Sequence, residues 1–144
     1  MDDDAAPPPA DPFSEDRSSE PHMFTLAEAR ELMPAVRRTA EELVTLRADL
    51  AELAADLRGG DSALGGRAEL KAAEARLTEL QSWFVDNGIE VKGIAPLLID
   101  FPAMLDGVSV RLCWLEGEPE LGWYHRTDLG FVARRPLPAR TSPF

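Results

Sequence analysis

The sequence predicts an α+β fold: an N-terminal antiparallel two-helix hairpin, its first helix kinked, packed on a small C-terminal three-stranded antiparallel sheet. Three observations predict it. Apolar residues recur at helical spacing up to about residue 87, a glycine-rich stretch at 59–66 divides that pattern in two, and from Ile94 the apolar period falls to two. Helices first and strands after give a two-layer arrangement with one apolar face between the layers.

Before the first helix, residues 1–22 carry seven acidic side chains, one base (Arg17) and five prolines, with no apolar period. Such a segment reads as a disordered acidic tail. Met23 follows it directly and is a candidate translation start. The first helix, over 24–58, opens on Thr25 with Glu28 three residues on, the signature of a capping box. Leu32, Val36, Leu43, Leu46, Leu50, Leu53 and Leu57 mark its apolar arc, and Ala40, Val44, Ala51 and Ala54 widen it. That arc is wider than one neighbouring helix covers, so the sheet, a second copy of the chain, or both are expected on it. Pro34 removes the bond to the Arg30 carbonyl and predicts a kink or restart. Gly59-Gly60 ends the helix.

The second helix, over 67–87, has Leu70, Ala73, Leu77, Leu80 and Phe84 in a heptad-like, coiled-coil seam, and Asn87-Gly88 stops it. A short link makes the two helices antiparallel. The β-meander is placed at 94–126, with turns at 102–107 and at Glu116-Gly117-Glu118-Pro119. A four-residue second turn puts Val110, Leu112, Trp114, Leu121, Trp123 and His125 on the core face. Arg111, Cys113, Glu120, Gly122 and Tyr124 then take the polar face, with Asp100 beside Ser109 and Arg111. The single domain spans 23–137, and 138–144 is a flexible C-terminus.

The chain has 144 residues and a net charge of −11. Acidity and a cation set of two lysines and 13 arginines argue against nucleic acid, which binds through clustered positive charge. No apolar run approaches the ~20 residues of a membrane span. The start, Met1-Asp2-Asp3-Asp4, is unlike a secretory signal, and the lone Cys113 allows no internal disulfide, so a soluble cytoplasmic protein is expected. There is no G-x-G-x-x-G, Walker-type loop or G-x-S-x-G, hence no nucleotide, flavin or serine-hydrolase signature.

Chemistry-bearing residues concentrate between Asp100 and Arg135. His125, Asp128, Glu118 and Glu120 make a candidate divalent-metal set, because imidazole and carboxylates both donate to zinc, manganese or iron. The competing reading seats His125 at the core edge as a structural residue bonded to Asp128 or a carbonyl. Asp100, Arg111, Tyr124, Arg134 and Arg135 are candidate ligand or partner contacts; Asp100 and Arg111 are otherwise a cross-strand ion pair. Cys113 on the face opposite His125 reads as a small buried hydrophobe rather than a nucleophile. No catalytic residue is assigned.

Several segments together resemble one small bacterial family, domain of unknown function 2203. They are Phe24-Thr25-Leu26-x-Glu28-Ala29, Leu32-Met33-Pro34, Asp100-Phe101-Pro102, Leu112-Cys113-Trp114-x-x-Gly117-Glu118-Pro119-Glu120, Trp123-Tyr124-His125-x-x-Asp128-x-Gly130-Phe131 and Arg134-Arg135-Pro136-Leu137. The family's Tyr-Trp-His step is Trp123-Tyr124-His125 here. The resemblance implies no activity; it directs attention to Asp100, Cys113, Glu118, Glu120, His125, Asp128, Arg134 and Arg135. Function is accordingly read as a non-enzymatic module that self-associates, as a dimer, through its helical hairpin. The alternatives are a metal-binding accessory protein or metal-dependent enzyme built on His125, and a small-anion binder using Arg111, Arg134 or Arg135.

Overall fold

The computed structural model describes residues 22–138. The acidic tail up to Pro21 and the last six residues, with the expectations of disorder attached to them, lie outside the described residues.

Helix α1 spans Leu26–Arg58 and α2 spans Arg67–Asp86. Thr25 caps α1 as expected: its Oγ1 accepts from the Glu28 N–H at 3.0 Å, and the Glu28 carboxylate accepts from the Thr25 N–H at 2.9 Å. The expected restart at Pro34 does not occur, and α1 runs through it as one helix. Pro34 and Arg30 are both exposed, away from the packed side of the helix. Helix α2 ends in a Schellman arrangement. Ile89 N–H donates to Phe84 O (2.9 Å), Gly88 N–H donates to Val85 O (3.0 Å), and Gly88 takes φ +81°. Ile89 and Phe84 are both buried, so the cap also seals the core.

The sheet has five antiparallel strands, not three, in the order β1-β2-β3-β4-β5: Glu90–Ile94, Leu97–Leu105, Val108–Leu115, Trp123–Arg126 and Arg135–Pro136. Two strands escaped the sequence pattern for local reasons. β1 is bulged between Val91 and Gly93, which breaks its alternation, and β5 is only two residues long. The expected turn over 102–107 is also shorter than predicted. β2 continues through Pro102 to Leu105, and the reversal is the two-residue Asp106-Gly107, with φ of +53° and +81°. Pro102 lies beyond the last β1 pair, Glu90↔Asp100, and its carbonyl accepts from the Phe24 N–H at 2.8 Å. Its missing N–H therefore leaves no ladder bond unmade.

One face of the sheet packs on the helices. Ile99, Phe101 and Ala103 of β2 and Val110, Leu112 and Trp114 of β3 meet Ala29, Met33, Val36, Ala40 and Leu43 of α1 and Leu80 and Phe84 of α2 in one buried core. Arginines on α1 fasten it to the loop after β3. Arg30 donates to Leu121 O, Arg37 to Pro119 O, and Arg47 makes a two-pronged pair with Glu116 at 2.7 and 2.9 Å. Among the described residues, no helix is long and apolar enough to cross a membrane.

Candidate functional site

The sheet's second face, turned away from the helices, carries the ionisable groups, and strand register decides which of them meet. The Asp106-Gly107 turn pairs Leu105 with Val108 and therefore Asp100 with Cys113. On the other side of β3, Arg111 pairs with His125 and Cys113 with Trp123. The expected register was one residue different, because the loop after β3 is longer than a four-residue turn and buries Leu121 within it. A one-residue slip exchanges faces. Tyr124 thus sits opposite Leu112 on the core side, while His125 and Trp123 join Asp100, Arg111 and Cys113 on the outer face.

Asp100, Cys113 and His125 come together as a buried set, 2%, 0% and 5% exposed. One donor atom from each lies within 4.8 Å of the other two. His125 Nδ1 faces the Arg126 carbonyl at 2.8 Å, and that oxygen only accepts, so Nδ1 carries hydrogen. His125 Nε2 then faces Asp100 Oδ2 at 3.2 Å. The other carboxylate oxygen, Asp100 Oδ1, is buried without a hydrogen-bond partner. Burial, reinforced by the neighbouring Asp100 charge, pushes the Cys113 thiol up to about 12, with Arg134 pulling the other way. A thiol held neutral in this way is a poor nucleophile.

The remaining candidates are distributed around this set. Arg111 binds the Glu90 carboxylate at 2.9 Å instead of Asp100, and it also donates to Thr127 Oγ1 at 2.9 Å. Although burial opposes it, Arg111 and Lys92 hold the Glu90 carboxyl below its usual range. Asp128 is exposed and pairs with Arg126. Glu118 accepts from Arg134 at 2.6 and 2.8 Å and from the Leu115 N–H at 2.8 Å. Glu120 and Arg135 are exposed. The structure therefore does not gather His125, Asp128, Glu118 and Glu120 into one cluster. Among the described residues, the metal-capable group is Asp100, Cys113 and His125.

Arg134 secures the cover of this face. Its guanidinium lies 4.7 Å from the ring centroids of both Trp123 and Phe131 while bound to Glu118. That holds the Phe131–Ala133 turn over the sheet. Between them runs a cavity of about 480 Å³ lined by Lys92, Leu98, Asp100, Arg111, His125, Thr127, Leu129, Gly130 and Phe131.

The expected metal set lacked Asp100, read as a ligand or partner contact, and Cys113, read as a small buried hydrophobe and singled out only by the family resemblance. The signal that finds them is Asp106-Gly107, a strong two-residue hairpin turn. Counting outward from that turn places Asp100 opposite Cys113 with no further assumption.

The chain is an α+β protein whose buried Asp100, Cys113 and His125 lie on the sheet face opposite the helices. Residues 22–137 match the family described as "Uncharacterized conserved protein (DUF2203)", and the chain belongs to that family. No curated protein and no solved structure matches the chain.

Proposed function

We propose that this is a transition-metal-binding protein of the zinc class, with Asp100, Cys113 and His125 as ligands and a fourth position turned toward the adjoining cavity. The observation that carries the reading is the convergence of three buried donor side chains, one of them a carboxylate with an oxygen that has no hydrogen-bond partner. Leaving such an oxygen buried and unpaired is costly, and a cation removes that cost. A tetrahedral zinc would hold mixed sulfur, nitrogen and oxygen donors roughly 3.3–3.8 Å apart, so only a short closure is needed.

Other features support the same reading. A thiol, an imidazole and a carboxylate favour zinc, cobalt or iron over magnesium or calcium. The Nδ1–H bond to the Arg126 carbonyl is the outer contact that metal-bound histidines use, and it turns Nε2 toward Asp100, 3.2 Å away. Metal binding also reverses the electrostatics of Cys113, because coordination deprotonates a thiol that burial alone keeps protonated. Three protein ligands with one open position is the pattern of catalytic rather than structural zinc. A single unpaired thiol used as a ligand suits a reducing compartment, consistent with a cytoplasmic protein.

The test is titration of untagged, chelator-treated protein with cobalt(II). One ion per chain and a thiolate-to-cobalt charge-transfer band are expected. Cys113→Ser should abolish the band, and His125→Gln should weaken binding at least ~10-fold. Sub-stoichiometric cobalt with no band would instead make the three residues a structural network. The self-associating hairpin has less support. Met33, Val36, Ala40 and Leu43 are buried within one chain, and none of the exposed large apolar side chains comes from α1. Native mass spectrometry of the same sample reads a dimer, if one forms.

A further inference from the structure

The tip of the β2–β3 hairpin and the Phe131–Ala133 turn enclose a hollow of about 520 Å³. Its apolar wall is Leu105, Val108, Val110, Leu129 and Val132. Four charged residues, Asp106, Arg126, Arg134 and Arg135, complete the charged part of the lining. Two of the guanidiniums are already paired, Arg126 with Asp128 and Arg134 with Glu118. That leaves Asp106 and Arg135, both exposed and neither with an ion-pair partner among the described residues. One open carboxylate and one open guanidinium cancel, so net charge selects no ion here. The apolar lining is also unfinished. Val132 belongs to it yet is 97% exposed, with Val108 at 47% and Leu129 at 45% beside it. A lone exposed valine is ordinary, but one projecting from the wall of an apolar hollow marks a contact surface.

We propose that this face binds a second copy of the chain, the two hollows meeting across a two-fold axis so that Val132 of each copy enters the hollow of the other. The charges fit that occupant. A patch that carries one open charge of each sign is self-complementary, because a two-fold axis sets Asp106 of one copy against Arg135 of the other, twice. The projecting valine and the hollow that takes it lie on one patch, so the assembly closes at two copies. Burial of Val132, Val108 and Leu129 supplies the driving force. Leu129 also lines the cavity beside Asp100 and His125, so the contact steadies the segment that covers them. The dimer forms through this rim and not through the helical hairpin, and it needs no metal.

Sedimentation equilibrium of the full, untagged chain from ~1 to ~500 μM, with and without chelator, tests the proposal across the range of weak specific association. A monomer–dimer equilibrium with no larger species is expected, unchanged by chelator. Val132→Asp alters an exposed side chain, so it should leave the circular dichroism unchanged and weaken the dimer at least ~10-fold. Arg135→Glu sets two carboxylates against each other and should weaken it by a similar factor. Adding Asp106→Asn to Arg135→Glu removes that repulsion and should recover at least ~3-fold, a gain that a purely structural Arg135 would not give. Asparagine accepts the φ of +53° at position 106. A chain that stays monomeric throughout would overturn the proposal and leave the hollow to a different partner. So would a dimer that both Val132→Asp and Arg135→Glu leave unchanged, which would place the contact elsewhere, on the helical hairpin for example. A dimer lost on chelation would assign the contact to a shared ion and overturn it equally.

Discussion

Cys113 shows how much one side chain's surroundings decide its chemistry. Burial, with the Asp100 charge beside it, pushes its thiol up to about 12 in the folded chain, whereas an unfolded chain ionises near ~8.5. Between those values the unfolded state releases a proton that the native state keeps, so rising pH favours unfolding there. Native protein at pH 8 should therefore react with a thiol-specific disulfide reagent only as fast as it unfolds, and completely once denatured. Rapid labelling of the native state would contradict the buried placement. Zinc should release a proton on binding and keep the thiol protected. His125 is a second case, since the Arg126 carbonyl beside Nδ1 sets the tautomer and so decides what Nε2 can do. Both residues were visible as types in the sequence. Their meeting was not, because it depends on one residue of loop length between Leu115 and Trp123.

At the scale of elements, the caps and turns carry the most legible information. Thr25 with Glu28, Gly59, and Asn87-Gly88 bound the helices where their chemistry says they should, because each signal is local and needs no distant partner. Gly88 is the most exacting of them. At φ +81° a side chain is disfavoured, and an added Cβ would lie 3.5 Å from the Phe24 ring and 3.4 Å from His22. Gly88→Ala should cost about 1–2 kcal/mol, read as a lower denaturant midpoint at unchanged slope. Gly122→Ala is the matched control: its Cβ would meet nothing within 4 Å and its φ is not positive, so near-neutral behaviour is expected. The strands were less legible. The β1 bulge at Lys92 and the proline within β2 both break the two-residue period that reveals a strand. The loop after β3 hides its length, because Glu116–Glu120 resembles a tight turn while Leu121 is drawn into the core.

At the scale of the whole molecule, the helical layer and the sheet are joined by more than apolar packing. Arg47 reaches from the middle of α1 to Glu116 and to the Ile94 carbonyl, and Glu116 also accepts from the Leu97 N–H at 2.7 Å. Arg47 is the chief reason the Glu116 carboxyl is lowered to about 2. A carboxylate depressed in the folded state stabilises above its unfolded value of ~4.3 and loses that contribution as pH falls toward the folded value. The wild-type melting temperature should therefore drop between about pH 4.5 and 2, and Glu116→Gln should flatten that part of the profile. At neutral pH the same substitution should cost about 2 kcal/mol. An unaltered acid limb in the variant would show that the pair adds nothing across the interface. The α+β class followed from periodicity alone, since each layer announces its own period. The way the layers dock did not, because it rests on arginines whose partners are backbone carbonyls and a loop glutamate.

The cover over the outer face draws together parts of the chain that are distant in sequence. The walls around Asp100, Cys113 and His125 draw on Lys92 from an early strand and on Phe131 and Arg134 from the last turn. The three donors come from three neighbouring strands, and His125 stands only nine residues before Arg134 in the chain. By joining a carboxylate, Glu118, and an indole, Trp123, Arg134 ties one short C-terminal segment across a face assembled from strands far apart in sequence.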